Sequence, residues 1–542
     1  MRCLVVDCAD GREAGTSVAD YASGEEGVLL DPKDPNLARQ NPRDWLNGMT
    51  SAVRGAVAQA KADDPGFDVS RVTGIGVDTT GSTPLPVDRE GTPLALQERF
   101  SDNPNAHAWL WKDHTAWSEA SEITEKAESQ GRPYLAKCGG AYSSEWFWSK
   151  VLRCARADPK VFDAAYSWVE CQDFVPAWLT GNLDPLAMKR GVCAAGHKAM
   201  YHPAWGGLPQ KEFLDSLDPR LGELRGRLYD EAVPADRQAG RLSSERAGEL
   251  GLPEGIPVAV GAFDAHLGAV GSGVRPGVLV KIMGTSTCDV LVGDESTPDI
   301  PGVCGIVPGS VIPGMLGIEA GQSAVGDLFN WGTKLLGRSH EELSREAEKL
   351  RPGESGLLAL DWNNGNRTIL VDPLLSGLIV GQTLHTSPPE AYRALIEATA
   401  FGARKIVERI GEYRVPVSEI VVCGGIAEKS PLTMQIYADV LNRPMKLSRS
   451  SQTCALGAAI FGAVVGGTHP DALSAIGAMT GVKELVYTPC PDAAQTYDRL
   501  YGLYADLHDS FGRVERRPDL RGLMTELIAI RREASRAGAP TA

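Results

Sequence analysis

The chain has 542 residues, of which 43% are hydrophobic and 23% charged, and it carries a formal net charge of −15 at pH 7. That length exceeds what one hydrophobic core serves and predicts two domains of about 250 residues with a helical tail. The acidic balance excludes a nucleic-acid partner, which needs a positive face, and no apolar run reaches the ~18 residues that span a bilayer.

Short β-rich runs alternate with helical segments throughout, which predicts an α/β fold. Met1 to Asp7 reads as a strand without a secretion-signal pattern, and Gly11 marks the turn after it. Trp45 to Ala60 has helical periodicity. Val72 to Val77 reads as a buried strand, and Val161 to Gly181 carries apolar residues at helical spacing. The strand Ile256 to Val260 runs into Gly261-Ala262-Phe263-Asp264-Ala265-His266. Gly271-Ser272-Gly273 ahead of Pro276 is the expected domain boundary, dividing the chain into residues 1–272, 273–512 and a C-terminal helix and tail, 513–542. Strands follow at Val278 to Met283 and Asp289 to Val292, then a helix from Pro389 to Glu412 and a strand from Glu419 to Cys423. Past Gly424-Gly425 a helix opens with Ser430 as its cap and Pro431 in its first turn. From Pro518 a charged amphipathic helix is expected, and then a disordered tail, Ala537 to Ala542. Eleven cysteines without a C-x-x-C pair and nine histidines without an H-x-x-x-H pair predict reduced thiols, such as Cys193, Cys423 and Cys454. They predict no structural metal, so no residue is assigned as a metal ligand, and a cytoplasmic protein.

Four constellations could carry chemistry. Gly284-Thr285-Ser286-Thr287, between two strands, could aim N–H groups and hydroxyls at a phosphate; a plain hairpin turn uses the same residues. Gly424-Gly425 at a strand-to-helix turn could let a flat group lie against the backbone near a helix N-terminus, or be structural, and Lys429 alone reads as a surface lysine. Asp264, just past a buried strand and beside the domain boundary, stands where ligands of open α/β sheets bind. It could accept a hydroxyl proton, or cap the helix that follows. Lys198, Glu319 and the run Asp78-Thr79-Thr80-Gly81-Ser82-Thr83 are polar residues in apolar or small-residue surroundings, and each alone is equally a solvated loop position.

In order along the chain, these segments resemble the FGGY family of carbohydrate kinases. The resemblance rests also on Asp102-Asn103-Pro104, Trp109 to His114, Gly139-Gly140 with Ser143 to Trp146, Glu319 to Asp327 and Leu357 to Arg367. It implies an actin-like (ribonuclease H-like) fold, two domains of related topology around a central cleft. The implied reaction is transfer of phosphoryl from ATP, with Mg²⁺, to a sugar hydroxyl. The segments match the branch that phosphorylates L-ribulose at its terminal hydroxyl in arabinose catabolism. D-ribulose, xylulose or a polyol are the alternatives within the family, and a sugar- or nucleotide-binding remnant without catalysis is the alternative outside it. By the same resemblance Gly81, Lys198, Asp264 and Glu319 would hold the sugar, with Asp264 as general base, and Gly284, Thr285, Gly425 and Lys429 would hold ATP. The expected partners are thus a small-molecule sugar and ATP, with no nucleic acid and no membrane; a homodimer is compatible with this.

One departure is expected to matter. Members of the family open with a strand carrying an Asp-x-Gly-Thr turn, whereas Met1 to Asp7 matches their second strand, as if the start had been placed too far downstream. A central strand missing from such a sheet would leave buried N–H and C=O groups unpaired at about 1–3 kcal/mol each.

Overall fold

The second half of the chain is built on one sheet. In the computed structural model, which describes residues 1–512 and 518–536, seven strands lie in the order Gly305–Pro308, Leu316–Ala320, Thr287–Gly293, Val278–Met283, Glu419–Cys423, Met445–Ser448, Val482–Tyr487. The strands Val278–Met283, Glu419–Cys423 and Met445–Ser448 run parallel, and the others join antiparallel. Central strands covered on both faces must be apolar on both faces, which explains the runs VLVKIM and EIVVC. Leu279, Met283, Ile420 and Val422 pack on the helices Pro388–Glu412 and Pro431–Leu441. Val278, Val280, Val421 and Cys423 pack on Asp264–Gly271 and Thr453–Val465. The last two helices come from different halves of the chain and touch closely. A Cβ on Gly457 would collide with the Leu267 carbonyl, and one on Gly271 with that of Thr453.

The first half holds its strands in small groups. Arg2–Val6 pairs antiparallel with Glu13–Val18, and Asp78–Thr79 pairs parallel with Ala262–Phe263. Residues 72–77, expected as a buried strand, form only an isolated bridge from Ile75 to Val258, and all but Val77 are half-buried or exposed. The reason lies on their free side. One edge is satisfied, with Ile75 N donating to Pro257 O at 2.9 Å and Ala259 N to Ile75 O at 2.8 Å. The residues themselves line a cavity of about 1170 Å³ whose walls also include Arg2–Val6.

Other expectations meet the structure closely. Strands stand at Val278–Met283 and Glu419–Cys423, and the helix Pro388–Glu412 opens with a capping box between Ser387 and Glu390. Ser430 caps Pro431–Leu441, accepting from Thr433 N. The run 161–181 is corrected: the strand Ser167–Glu170 separates the helices Pro159–Ala164 and Cys171–Thr180. Its four residues, polar Ser167 and Glu170 among them, are all buried against Pro84–Val87, so no alternation of buried and exposed positions marks it as a strand. A helix does follow Pro518, at Leu523–Arg536; the tail Ala537–Ala542 lies outside the described residues. All eleven cysteines are free, with Cys193 and Cys423 buried and Cys454 half-buried. Among the described residues no helix is long and apolar enough to cross a membrane.

Candidate active site

Asp264 stands where the two halves meet. The short strand Ala262–Phe263 ends immediately before it, and Asp264 is the first residue of the helix Asp264–Gly271, with Phe263 in the cap position. It is therefore not the N-cap, although its Oδ1 accepts the Ala265 N–H at 2.7 Å, and a carboxylate in a first turn is favoured by the helix dipole. Burial, and then the neighbouring Asp78 carboxylate, push its pKa up to about 6. A group so tuned is ionised at neutral pH and still basic enough to take a proton.

Lys198 and Glu319, distant in sequence, meet across the domain junction. Lys198 ends the helix Val192–Lys198, Glu319 lies on Leu316–Ala320, and Nζ stands 3.4 Å from both carboxylate oxygens. The solvated-loop alternative fails for both, since Lys198 is 9% exposed and Glu319 6%. Buried charges need partners, and these have them. Burial alone would raise the Glu319 carboxyl, but the Lys198 ammonium above all holds it well below the usual range. Burial alone would lower Lys198, and Glu319 more than offsets this. The ammonium also lies 5.3 Å from the Trp146 ring centroid and 5.9 Å from that of Phe263.

Gly81 lies in a turn pinned from below. Ser82, next to it, is buried with φ of +28°, a strained conformation for a non-glycine residue. Two buried charges, both missed in the sequence, hold this turn. Lys150 Nζ donates to Ser82 O at 2.7 Å and Leu110 O at 2.9 Å, and Glu170 accepts from Thr83 N at 2.8 Å. Burial lowers the Lys150 ammonium and raises the Glu170 carboxyl. The legible signal was a lysine in the apolar run Trp146-Phe147-Trp148-Ser149-Lys150-Val151. A Cβ on Gly81 would meet only the Phe263 ring, at 4.0 Å, so the glycine leaves room beside the residue preceding Asp264.

On the other half, Gly284 and Thr285 do form a hairpin turn, with Met283 opposite Thr287. It is more than a plain turn. Gly326 N donates to Gly284 O and Asp327 N to Thr285 O, both at 3.1 Å, joining the turn to the start of the helix Gly326–Leu336. Gly424 has φ of +101°, and a Cβ there would collide with the Met283 carbonyl. The two glycine turns thus stand side by side because their strands are parallel neighbours. Gly425 has open space where a Cβ would stand. It opens a short extra helix, Gly425–Lys429, ahead of the one capped by Ser430, and Lys429 at its end is exposed.

The cavity of about 1170 Å³ is lined from one half by Asp78, Thr79, Thr80 and Asp264 and from the other by Gly424 and Thr453. Gly81, Lys198 and Glu319 lie outside its walls, as do Gly284, Thr285, Gly425 and Lys429. His197, His266 and Glu319 offer ligand atoms within 4.8 Å of one another, but the Lys198 ammonium on the same carboxylate opposes a cation there.

The chain thus joins a buried carboxylate at the start of a helix in one half to two adjacent glycine turns at the ends of parallel strands in the other. The sequence profile of the FGGY family of carbohydrate kinases matches with its N-terminal domain over residues 21–271 and its C-terminal domain over residues 279–465. A ribulokinase of Vibrio parahaemolyticus is 42% identical over 536 residues, covering 94% of this chain and 93% of that protein. A ribulokinase of Mycolicibacterium smegmatis is 41% identical over 533 residues, covering 94% and 92%. Among solved structures, a xylulose kinase of Rhodospirillum rubrum shares the fold with a TM-score of 0.75 at 24% identity, covering 96% of this chain and 97% of its own. A glycerol kinase of Plasmodium falciparum with ADP does so with a TM-score of 0.75 at 15% identity, covering 93% and 95%. The chain belongs to the FGGY family of carbohydrate kinases and is a sugar kinase with the two-domain α/β fold of that family.

Proposed function

We propose that the chain transfers the terminal phosphoryl group of ATP to the terminal hydroxyl of L-ribulose, giving L-ribulose 5-phosphate. The observation that carries this is the 42% identity to a ribulokinase over 94% of the chain. Residues 1–272 hold the sugar through Gly81, Lys198 and Asp264, with Glu319 reaching across from residues 273–512. The latter bind ATP, its phosphates by Gly284 and Thr285 and its adenosine by Gly425 and Lys429. The open space over Gly425 and the exposed Lys429 support the adenosine assignment. Asp264 takes the hydroxyl proton as the oxygen attacks the γ-phosphorus and the bond to the bridging β,γ-oxygen breaks, so that ADP leaves. Such base catalysis contributes about 10²–10⁴ in rate, and positioning and electrostatics supply most of the rest.

Mg²⁺ requires hard oxygen donors and takes one or two carboxylates beside the substrate phosphates. Asp78 fits this. Its carboxylate, raised by burial, lines the cavity together with two threonines. When bound, the ion would neutralise phosphate charge.

The test is ADP release over a panel of L-ribulose, D-ribulose, xylulose and polyols. L-Ribulose is expected to give the highest kcat/KM. Turnover confined to xylulose or glycerol, or L-ribulose binding without turnover, would overturn the reading.

A further inference from the structure

Arg367, the last residue of a segment that carries the family resemblance, has no part in the proposed reaction. It is half-buried. Buried cations elsewhere in the chain stand beside carboxylates: Lys198 has Glu319, Lys281 has Asp289, Arg190 has Asp173 and Arg393 has Glu397. Arg367 has no carboxylate partner among the described residues. Its Nη2 donates to Thr287 O at 2.6 Å. Nε is buried without a partner, whereas Nη1 is not sealed off and makes no hydrogen bond among the described residues. A charge taken partly out of water calls for an opposite one, and the protein does not supply it in contact.

The place of the guanidinium says what could. Thr287 follows the Gly284–Thr285 turn with Ser286 alone between them. It pairs with Gln322, Thr287 N donating to Gln322 O at 3.1 Å and Gln322 N to Thr287 Oγ1 at 3.0 Å. Gly321, just before Gln322, is separated from Glu319 by Ala320 alone. A Cβ on Gly321 would stand 2.1 Å from Thr287 O and 3.0 Å from Arg367 Nη2, so this glycine leaves the room in which guanidinium and carbonyl meet. Thr368 Oγ1 accepts the Gly321 N–H at 3.1 Å, which ties the backbone beside Arg367 to the same strand end. The guanidinium therefore lies between Glu319 on one strand and the Gly284–Thr285 turn ahead of its antiparallel neighbour. After burial and nearer groups, it is also among the charges felt by Glu319 and by Lys198 of the other half. With the sugar at Lys198 and Glu319 and the phosphates at Gly284 and Thr285, the γ-phosphoryl group crosses this gap.

We propose that Arg367 is a catalytic residue that contacts the transferring phosphoryl group: Nη1–H donates to a non-bridging oxygen while Nη2 stays anchored on Thr287 O. Charge spreads over those oxygens in the transition state, and a donor already fixed in place stabilises it without reorganising. Arginine stays charged throughout and adds no proton step. The proposal rests on the places given above to sugar and phosphates, but not on which sugar is turned over. Rates are therefore taken with the panel sugar that the wild type uses best, so that a wrong sugar and a wrong role for Arg367 are told apart. For R367M and R367K, kcat and the sugar KM are measured by initial rates and the Kd of ADP by calorimetric titration. R367M is expected to lower kcat about tenfold to a hundredfold, the loss of a hydrogen bond to a charged group. Its sugar KM and ADP Kd should stay within about twofold, because neither ligand carries the group contacted. R367K keeps the charge without the anchored fork and should fall between wild type and R367M. A kcat for R367M within about twofold of wild type overturns the proposal. So does a loss seen as a raised sugar KM at unchanged kcat, the mark of a sugar ligand. An ADP Kd weakened as much as kcat also overturns it, since Arg367 would then only brace the phosphate turn. Should R367M fail to fold, R367K is judged by the same three results.

Discussion

Asp264 meets two demands that pull against each other. A base must be ionised to accept a proton and must also hold that proton well. Raised to about 6, its carboxyl is still about nine-tenths ionised at pH 7, yet binds a proton far more tightly than an exposed aspartate. Lys198 and Glu319 answer a different need, since their charges are tolerated in the interior only as a pair. Lys198→Met should strand the Glu319 charge and cost about 3–5 kcal/mol, read as a lower urea midpoint. The double substitution Lys198→Met/Glu319→Leu should recover part of that loss, because no unpaired charge remains. A double variant less stable than the single one would contradict this.

At the level of elements, the turns matter more than the strands they end. Lys150 and Glu170 hold the Gly81–Thr83 turn from below. Lys150→Met is therefore expected to raise the sugar KM about tenfold and leave the ATP KM within about twofold, as measured by initial rates. Gly424→Ala meets both a positive φ of 101° and the Met283 carbonyl. It should cost about 1–3 kcal/mol, seen as a lower melting temperature, and raise the ATP KM rather than that of the sugar. Elements of this kind were legible where a local pattern was distinctive. Val278–Met283 and Glu419–Cys423 stood out as apolar runs beside glycines, and Ser430-Pro431 as a helix start. The strand Ser167–Glu170 did not, because both its faces are covered and its pairing with Pro84–Val87 is non-local. Lys198, Glu319 and Asp264 were each ambiguous alone, and their order among motifs of a known family selected them. His197, His266 and Glu170 were not singled out, since nothing local says that a histidine beside Gly196 will face a carboxylate more than a hundred residues away.

For the whole molecule, the site exists only where the halves meet. The helices Asp264–Gly271 and Thr453–Val465 bring the base-bearing half against the seven-stranded sheet, and the glycines between them set the spacing. Asp264 and Gly424, from the two halves, line one cavity. The central claim is that Asp264 takes the proton in that arrangement. Its most direct test is the pH dependence of kcat/KM for L-ribulose in the wild type and in Asp264→Asn. An acid raised in the fold is lost as a base when pH falls through its folded pKa. The wild-type rate should therefore fall tenfold per pH unit below about 6, and the variant should be slower by about 10²–10⁴ without that limb. A variant that keeps the wild-type rate, or keeps the same acidic limb, would contradict the account.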